Sequence, residues 1–137
     1  MKKYFILFIT LILFSSFISA QVEISKTSIN DVIIKEFENP AIYDFQIRNL
    51  GDSNDFEFYN FFNFRISPVG TFRIENGFTE KIKVEFYTPK YFDFNGFYKL
   101  EYFIKGENID PVREEVLLKI ISLDDEFEVG SEKIKSG

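Results

Sequence analysis

From Val22 onward, apolar and polar residues alternate with a period of two. Val22 and Ile24 alternate with Glu23 and Ser25, and Tyr43, Phe45 and Ile47 alternate with Asp44, Gln46 and Arg48. Further along, Phe72 and Ile74 stand against Arg73 and Glu75, and Ile82, Val84 and Phe86 against Lys81, Lys83 and Glu85. This is the pattern of strands with one apolar and one solvated face, and no comparable helical stripe accompanies it. Tyr98, Leu100, Tyr102 and Ile104, then Val116, Leu118 and Ile120, complete the inward positions.

Turn chemistry separates the runs. Asn76-Gly77 predicts a type I′ hairpin joining 71–75 to 78–87. The stretches 51–55, 67–70 and 106–111 read as loops, and Pro40 closes an edge segment at 31–38 and opens a strand at 41–49. The pattern predicts an all-β fold, an antiparallel two-sheet sandwich of seven or eight strands, with a closed barrel as the alternative. Tyr43, Phe45, Ile47, Ile82, Val84, Phe86, Leu100 and Ile104 are the expected core.

The first twenty residues break this pattern. Lys2 and Lys3 precede an apolar run from Tyr4 to Phe14, interrupted by Thr10, and Ser15, Ser16, Ser19 and Ala20 supply small residues. That is the composition of a secretory signal peptide cleaved after Ala20. Ile18 is bulky for the third position before the cut, so an uncleaved membrane anchor is the alternative. The apolar stretch stays short of the ~20 residues that a spanning helix needs. The expected organisation is a signal peptide at 1–20, a sandwich at 21–123 and a linker or tail at 124–137. The protein is expected to be secreted or held at the cell surface, with no membrane span after cleavage.

Composition narrows the chemistry. Among 137 residues there is no His, Cys or Trp, which removes histidine acid–base catalysis, Cys-His and Ser-His-Asp sites, and metal ligation by those side chains. No enzyme activity, cofactor or metal is expected. Sixteen Lys and Arg against 22 Asp and Glu give −6, and loss of Lys2 and Lys3 with the leader deepens this to −8. Such a balance argues against nucleic acid, whose phosphates need clustered cations. Without cysteine the fold depends on core burial, and the 19 Phe and seven Tyr supply much of the apolar surface.

Two longer stretches carry a family resemblance. Residues 72–89 with Gly96-Phe97-Tyr98-Lys99-Leu100-Glu101-Tyr102 resemble the fifth and sixth strands of immunoglobulin-like modules, of the fibronectin III-like kind, in prokaryotic and particularly archaeal surface proteins. Asn39-Pro40-Ala41-Ile42-Tyr43 and Ile47-Arg48-Asn49-Leu50-Gly51 resemble their second strand and its exit. The resemblance implies a fold and a location but no ligand. Gly96-Xaa-Tyr98 resembles a tyrosine corner, in which the hydroxyl ties back to a nearby backbone group. Leu100 stands where antibody domains place a cysteine.

Two kinds of site emerge. In the last two strands the alternation fails, because Leu117 and Ile121 are apolar on the face opposite Val116 and Leu118, and Phe103 faces the same way. Phe103, Leu117 and Ile121, extended by Tyr59, are expected to form one outward apolar patch for a protein partner, either an envelope component or a second copy. The loop Tyr91, Phe92, Asp93, Phe94 and Asn95 offers rings and hydrogen-bonding groups to a glycan. Asp52, Asn54 and Asp55, and Asp93 with Asn95, have the spacing of calcium loops but lack a full oxygen set, and ordinary turn chemistry accounts for them. The leading functional expectation is a non-enzymatic surface module for envelope structure or protein contact. The alternative is a carbohydrate-binding or adhesive module.

Overall fold

In the computed structural model, which describes residues 21–124, the chain passes through β1 (Val22–Asn30), β2 (Val32–Ile34), a 3-10 turn (Lys35–Phe37), β3 (Ala41–Asn49) and β4 (Asn54–Tyr59). It continues through β5 (Arg65–Ser67), β6 (Phe72–Ile74), β7 (Thr79–Tyr87), β8 (Gly96–Lys105) and β9 (Val112–Ile121). The segment 1–20 expected to be a signal peptide, its expected cleavage site after Ala20 and most of the expected tail at 124–137 lie outside the described residues. Two sheets pack face to face: sheet A in the order β1-β3-β7-β5 and sheet B in the order β2-β9-β8-β4-β6. The protein is therefore an all-β sandwich. Among the described residues there are nine strands where seven or eight were expected, and the one without a counterpart in the sequence pattern is β5, at three residues too short to show a period.

The strictest alternation in the sequence becomes β3, where Ala41, Tyr43, Phe45, Ile47 and Asn49 are buried and Asp44, Gln46 and Arg48 are exposed. Phe45 sits at the centre of the core, edge-on to Phe58 at 5.7 Å and tilted against Phe86 and Tyr102 at 6.3 and 6.1 Å. The predicted core is buried except for Ile82, which packs against it only in part. Sheet B supplies the facing layer of Leu100, Tyr102 and Ile104 with Val116, Leu118 and Ile120.

Two connections depart from expectation. The Asn76-Gly77 turn does not join a hairpin, because β6 pairs with β4 in sheet B and β7 with β3 in sheet A. Phe78 N–H donates to the Glu75 carbonyl at 3.0 Å and only Gly77 has positive φ, at 78°. That is the sign pattern of a type II turn, which does not match strand twist as type I′ does. The turn is tied instead to the loop after β3. Gly77 N–H donates to Asn49 O at 2.7 Å, Asn76 N–H to Ser53 Oγ at 2.9 Å, and the Asn76 amide to Gly51 O. Buried Asn49 completes the knot by donating to Asp52 O and Ile74 O.

The second departure is that the sandwich is not wholly antiparallel. The chain leaves sheet A at Asp31 without reversing direction, so β2 lands parallel to β9, pairing Val32 with Lys119 and Ile34 with Ile121. Asn39 holds the crossing, accepting from Ile34 N–H at 2.8 Å and donating to Val32 O at 3.0 Å. Glu38, at φ 52°, then turns the chain into β3.

Candidate interaction surface

The outward residues of sheet B are set by the β8–β9 and β4–β8 registers. Lys99 lies opposite Leu117, Glu101 opposite Glu115, Phe103 opposite Arg113, and Tyr59 opposite Phe103. The expected single patch is therefore split, because Phe103 and Leu117 are two outward positions apart along the sheet, a step of roughly 13 Å. Charges occupy the gap: Arg113 reaches Glu101 at 2.5 Å and Glu115 at 3.6 Å, and Lys99 reaches Glu115 at 3.7 Å. Alternation along one strand does not reveal this division, which depends on what the neighbouring strand places between the two apolar residues.

Each half gains members that the expected site lacked. Tyr59 and Phe103 stack at 5.1 Å with an interplanar angle of 17°. Phe61 stands on both, 5.6 Å from Tyr59 at 80° and 5.4 Å from Phe103 at 64°, and is 72% exposed. The result is an open corner of rings. Asn60 builds the loop that turns Phe61 out: its side-chain oxygen accepts from Phe62 and Phe64 N–H at 2.9 and 3.2 Å, and its amide donates to Phe64 O at 2.8 Å. An Asn followed by phenylalanines was the available signal, but the Asn also fits an ordinary turn. Lys105 borders the corner, 5.4 Å from the Tyr59 ring centre and 2.8 Å from Glu57, whose carboxylate raises the Lys105 pKa.

Leu117 belongs to the other half, with exposed Phe97 one position along on β8 and Lys119 above the Phe97 ring at 5.9 Å. Ile121 is half-buried beside Ile34, so β2 covers part of this region.

In the 91–95 loop only Phe92 turns inward, with Phe94, 37% exposed, at its border, and the two join Phe64 and Tyr98 in a plug of rings. Phe92 meets Phe64 and Tyr98 edge-on at 5.3 Å each, Phe94 meets Tyr98 at 5.2 Å, and Tyr98 stacks on Phe64 at 5.4 Å. Interplanar angles of 39°, 72° and 87° among Phe92, Phe94 and Tyr98 leave no flat platform. Tyr91 alone projects fully, with Asp93 and Asn95 exposed near it. Two of the candidate calcium residues are engaged elsewhere. Asn54 donates to Glu107 O at 2.8 Å and accepts from Glu107 N–H at 3.0 Å, and Asp55 pairs with Arg73 at 3.5 Å.

One polar group of the core lay beyond sequence reasoning. β2 pairs with β9 at Lys119–Ile121, and among the described residues no strand lies beside the rest of that edge of β9. Side chains from sheet A cover it: Lys26 donates to Glu115 O and pairs with Glu114 at 3.4 Å, and the Tyr43 hydroxyl donates to Leu117 O at 3.1 Å. The inter-sheet tyrosine tie thus falls to Tyr43, whereas Tyr98, placed in a tyrosine corner by resemblance, is a ring of the plug. Burial pushes the Tyr43 hydroxyl pKa up, with help from Asp31 and against a hydrogen bond with Ser28. Tyr102 is also pushed up, by burial first and then by Glu114 and Tyr43, and its buried hydroxyl has no partner among the described residues.

No protein-family profile and no curated protein matches the chain. Among solved structures it is similar to a FixG-related protein from Vibrio parahaemolyticus, with a TM-score of 0.58 at 8% identity. The match covers 74% of this chain and 98% of that one. At such identity the likeness concerns the fold alone.

Proposed function

We propose that the chain is a secreted or cell-surface, non-enzymatic immunoglobulin-like module that serves envelope structure or protein–protein contact through the outer face of sheet B. The observation that carries this reading is the open corner, where Phe61 stands on Tyr59 and Phe103 and remains largely exposed. Exposed aromatic rings held in place by packing are the usual anchors of protein contacts. Elsewhere on this face, cross-strand ion pairs neutralise one another, which favours an apolar contact. The strand order, with the first strand divided between the sheets through β1 and β2, supports the immunoglobulin-like reading. The leader-like start at 1–20 supports export.

Replacing Phe103 by Ser and Leu117 by Lys in one variant tests the contact. Loss of partner binding with an unchanged melting temperature is the expected outcome, and a large drop in stability would show the face to be internal. The exposed ring of Tyr91 beside Asp93 keeps a carbohydrate-binding module as the second reading. A glycan array that registers wild type but not Tyr91→Ala would favour it. Intact mass of the exported protein tests removal of the first twenty residues.

A further inference from the structure

The four sheet edges are unequal. β2, β5 and β6 are each three residues long, whereas β1, the other edge of sheet A, runs for nine. Short strands, charges and proline are the common means of keeping sheet edges from pairing with another chain. Of these β1 carries only charge, one of its charged residues, Lys26, lying on the inward side. It contains no proline, and its two charges are Glu23 and Lys26, the second turned across the sandwich to Glu114. Its pairing with β3 is regular from Val22 to Ser28, and the bulge begins only after that. Ser25, Thr27, Ser28 and Ile29 are exposed along it.

We propose that this edge receives the β1 strand of a second copy of the chain, the two strands pairing antiparallel about a two-fold axis at Ser25. The regular stretch Val22–Ser28 is symmetric about residue 25, so this register uses all of it. It places Ser25 opposite Ser25, Glu23 opposite Thr27 and Ile24 opposite Lys26, with no like charges face to face. An axis at Lys26 or Glu23 would oppose two ammonium groups or two carboxylates, which destabilises a strand pair. An isologous contact also consumes both long edges together. Among the described residues only three-residue edges then remain, so assembly stops at a dimer. The site is separate from the outer face of sheet B, and either reading stands if the other fails.

The full chain is examined by sedimentation velocity from micromolar to near-millimolar concentration, with a concentration-dependent dimer expected. Ser25→Lys is expected to raise the dimer dissociation constant about fivefold, the effect of one opposed like-charge pair. Ser25→Glu does the same, and mixing the two variants restores association. Because the chain has no cysteine, Ser25→Cys provides a single reporter. Directly opposed strand residues lie about 5 Å apart, within disulfide reach. Oxidation should link Ser25→Cys to itself, and Glu23→Cys to Thr27→Cys, but should not link Glu23→Cys to itself. A monomer at every concentration, or a dimer indifferent to Ser25→Lys but abolished by Leu117→Lys, overturns the proposal.

Discussion

Two groups of rings, each completed by phenylalanines that a loop brings back onto strands, differ in what lies behind them. Phe64, Phe92, Phe94 and Tyr98 close the sandwich where β8 begins, and Phe64 is 5% exposed. Tyr59, Phe61 and Phe103 gather on the outer face of sheet B, where Phe61 is 72% exposed. Ring separations are alike, 5.2 to 5.4 Å around Tyr98 and 5.1 to 5.6 Å around Phe103. Ring–ring attraction, about 0.5–1.5 kcal/mol per pair, is thus available to both groups. Removal of a Phe side chain from water, about 1.5–3 kcal/mol, is available nearly in full to Phe64 and hardly at all to Phe61, while Tyr59 and Phe103, like Phe92 and Tyr98, are half-buried. Phe64 therefore contributes stability, whereas the ring of Phe61 leaves apolar surface exposed.

The largest test of that contrast is Phe64→Ala. It removes a ring from beneath Phe92 and Tyr98 and leaves a void, so a loss of about 3–5 kcal/mol is expected in chemical denaturation. A loss below about 1 kcal/mol would mean that the plug collapses freely and that the two groups are energetically alike.

How far this contrast was legible in the sequence differs between the groups. β3, β7 and β8 bury one face of long strands, and period two finds such strands because every second residue reports the same environment. The inward side of Tyr98 follows from that rule. Phe61 and Phe64 lie where no period operates, and their fates diverge because Asn60 turns the chain between them. The turn at Gly77 departs from the expected hairpin for a related reason. Asn-Gly specifies a tight reversal, but whether the next strand joins the same sheet depends on the distant partners Asn49, Gly51 and Ser53. Leu117 and Phe103 occupy outward positions of neighbouring strands. Their separation needed the cross-strand register, which puts Glu101 and Glu115 between them.

Tyr102 sharpens the comparison from inside. Its ring is closed in by Phe45, Phe58 and Phe86, but its hydroxyl is buried without a partner among the described residues. A buried unpaired polar group costs roughly 1–3 kcal/mol, so Tyr102→Phe is expected to raise stability by about 1 kcal/mol. A drop in melting temperature would reveal a hydrogen bond to water at this position.

Phe61→Ser addresses the open group. The ring has little core beneath it, so stability should stay within about 0.5 kcal/mol of wild type while partner binding falls. A larger loss of stability would show that the corner is a second plug and would remove the main support for a contact there.

The smallest effect concerns the border of the open corner. Glu57 holds the Lys105 ammonium by a hydrogen bond and by its charge, with a further contribution from Tyr59, and so raises its pKa in the folded protein. A group whose folded pKa lies above its unfolded value, ~10.4 for lysine, contributes fully below that value, and the contribution disappears as pH rises through the folded pKa. Lys105 is exposed, and surface pairs of this kind contribute little. Wild type and Lys105→Met should therefore differ slightly in melting temperature at neutral pH and converge at strongly alkaline pH, with the neutral difference shrinking in high salt. Equal melting temperatures at neutral pH and low salt would mean that the Lys105–Glu57 pair adds nothing, leaving Tyr59 to be positioned by Phe103 and Phe61 alone.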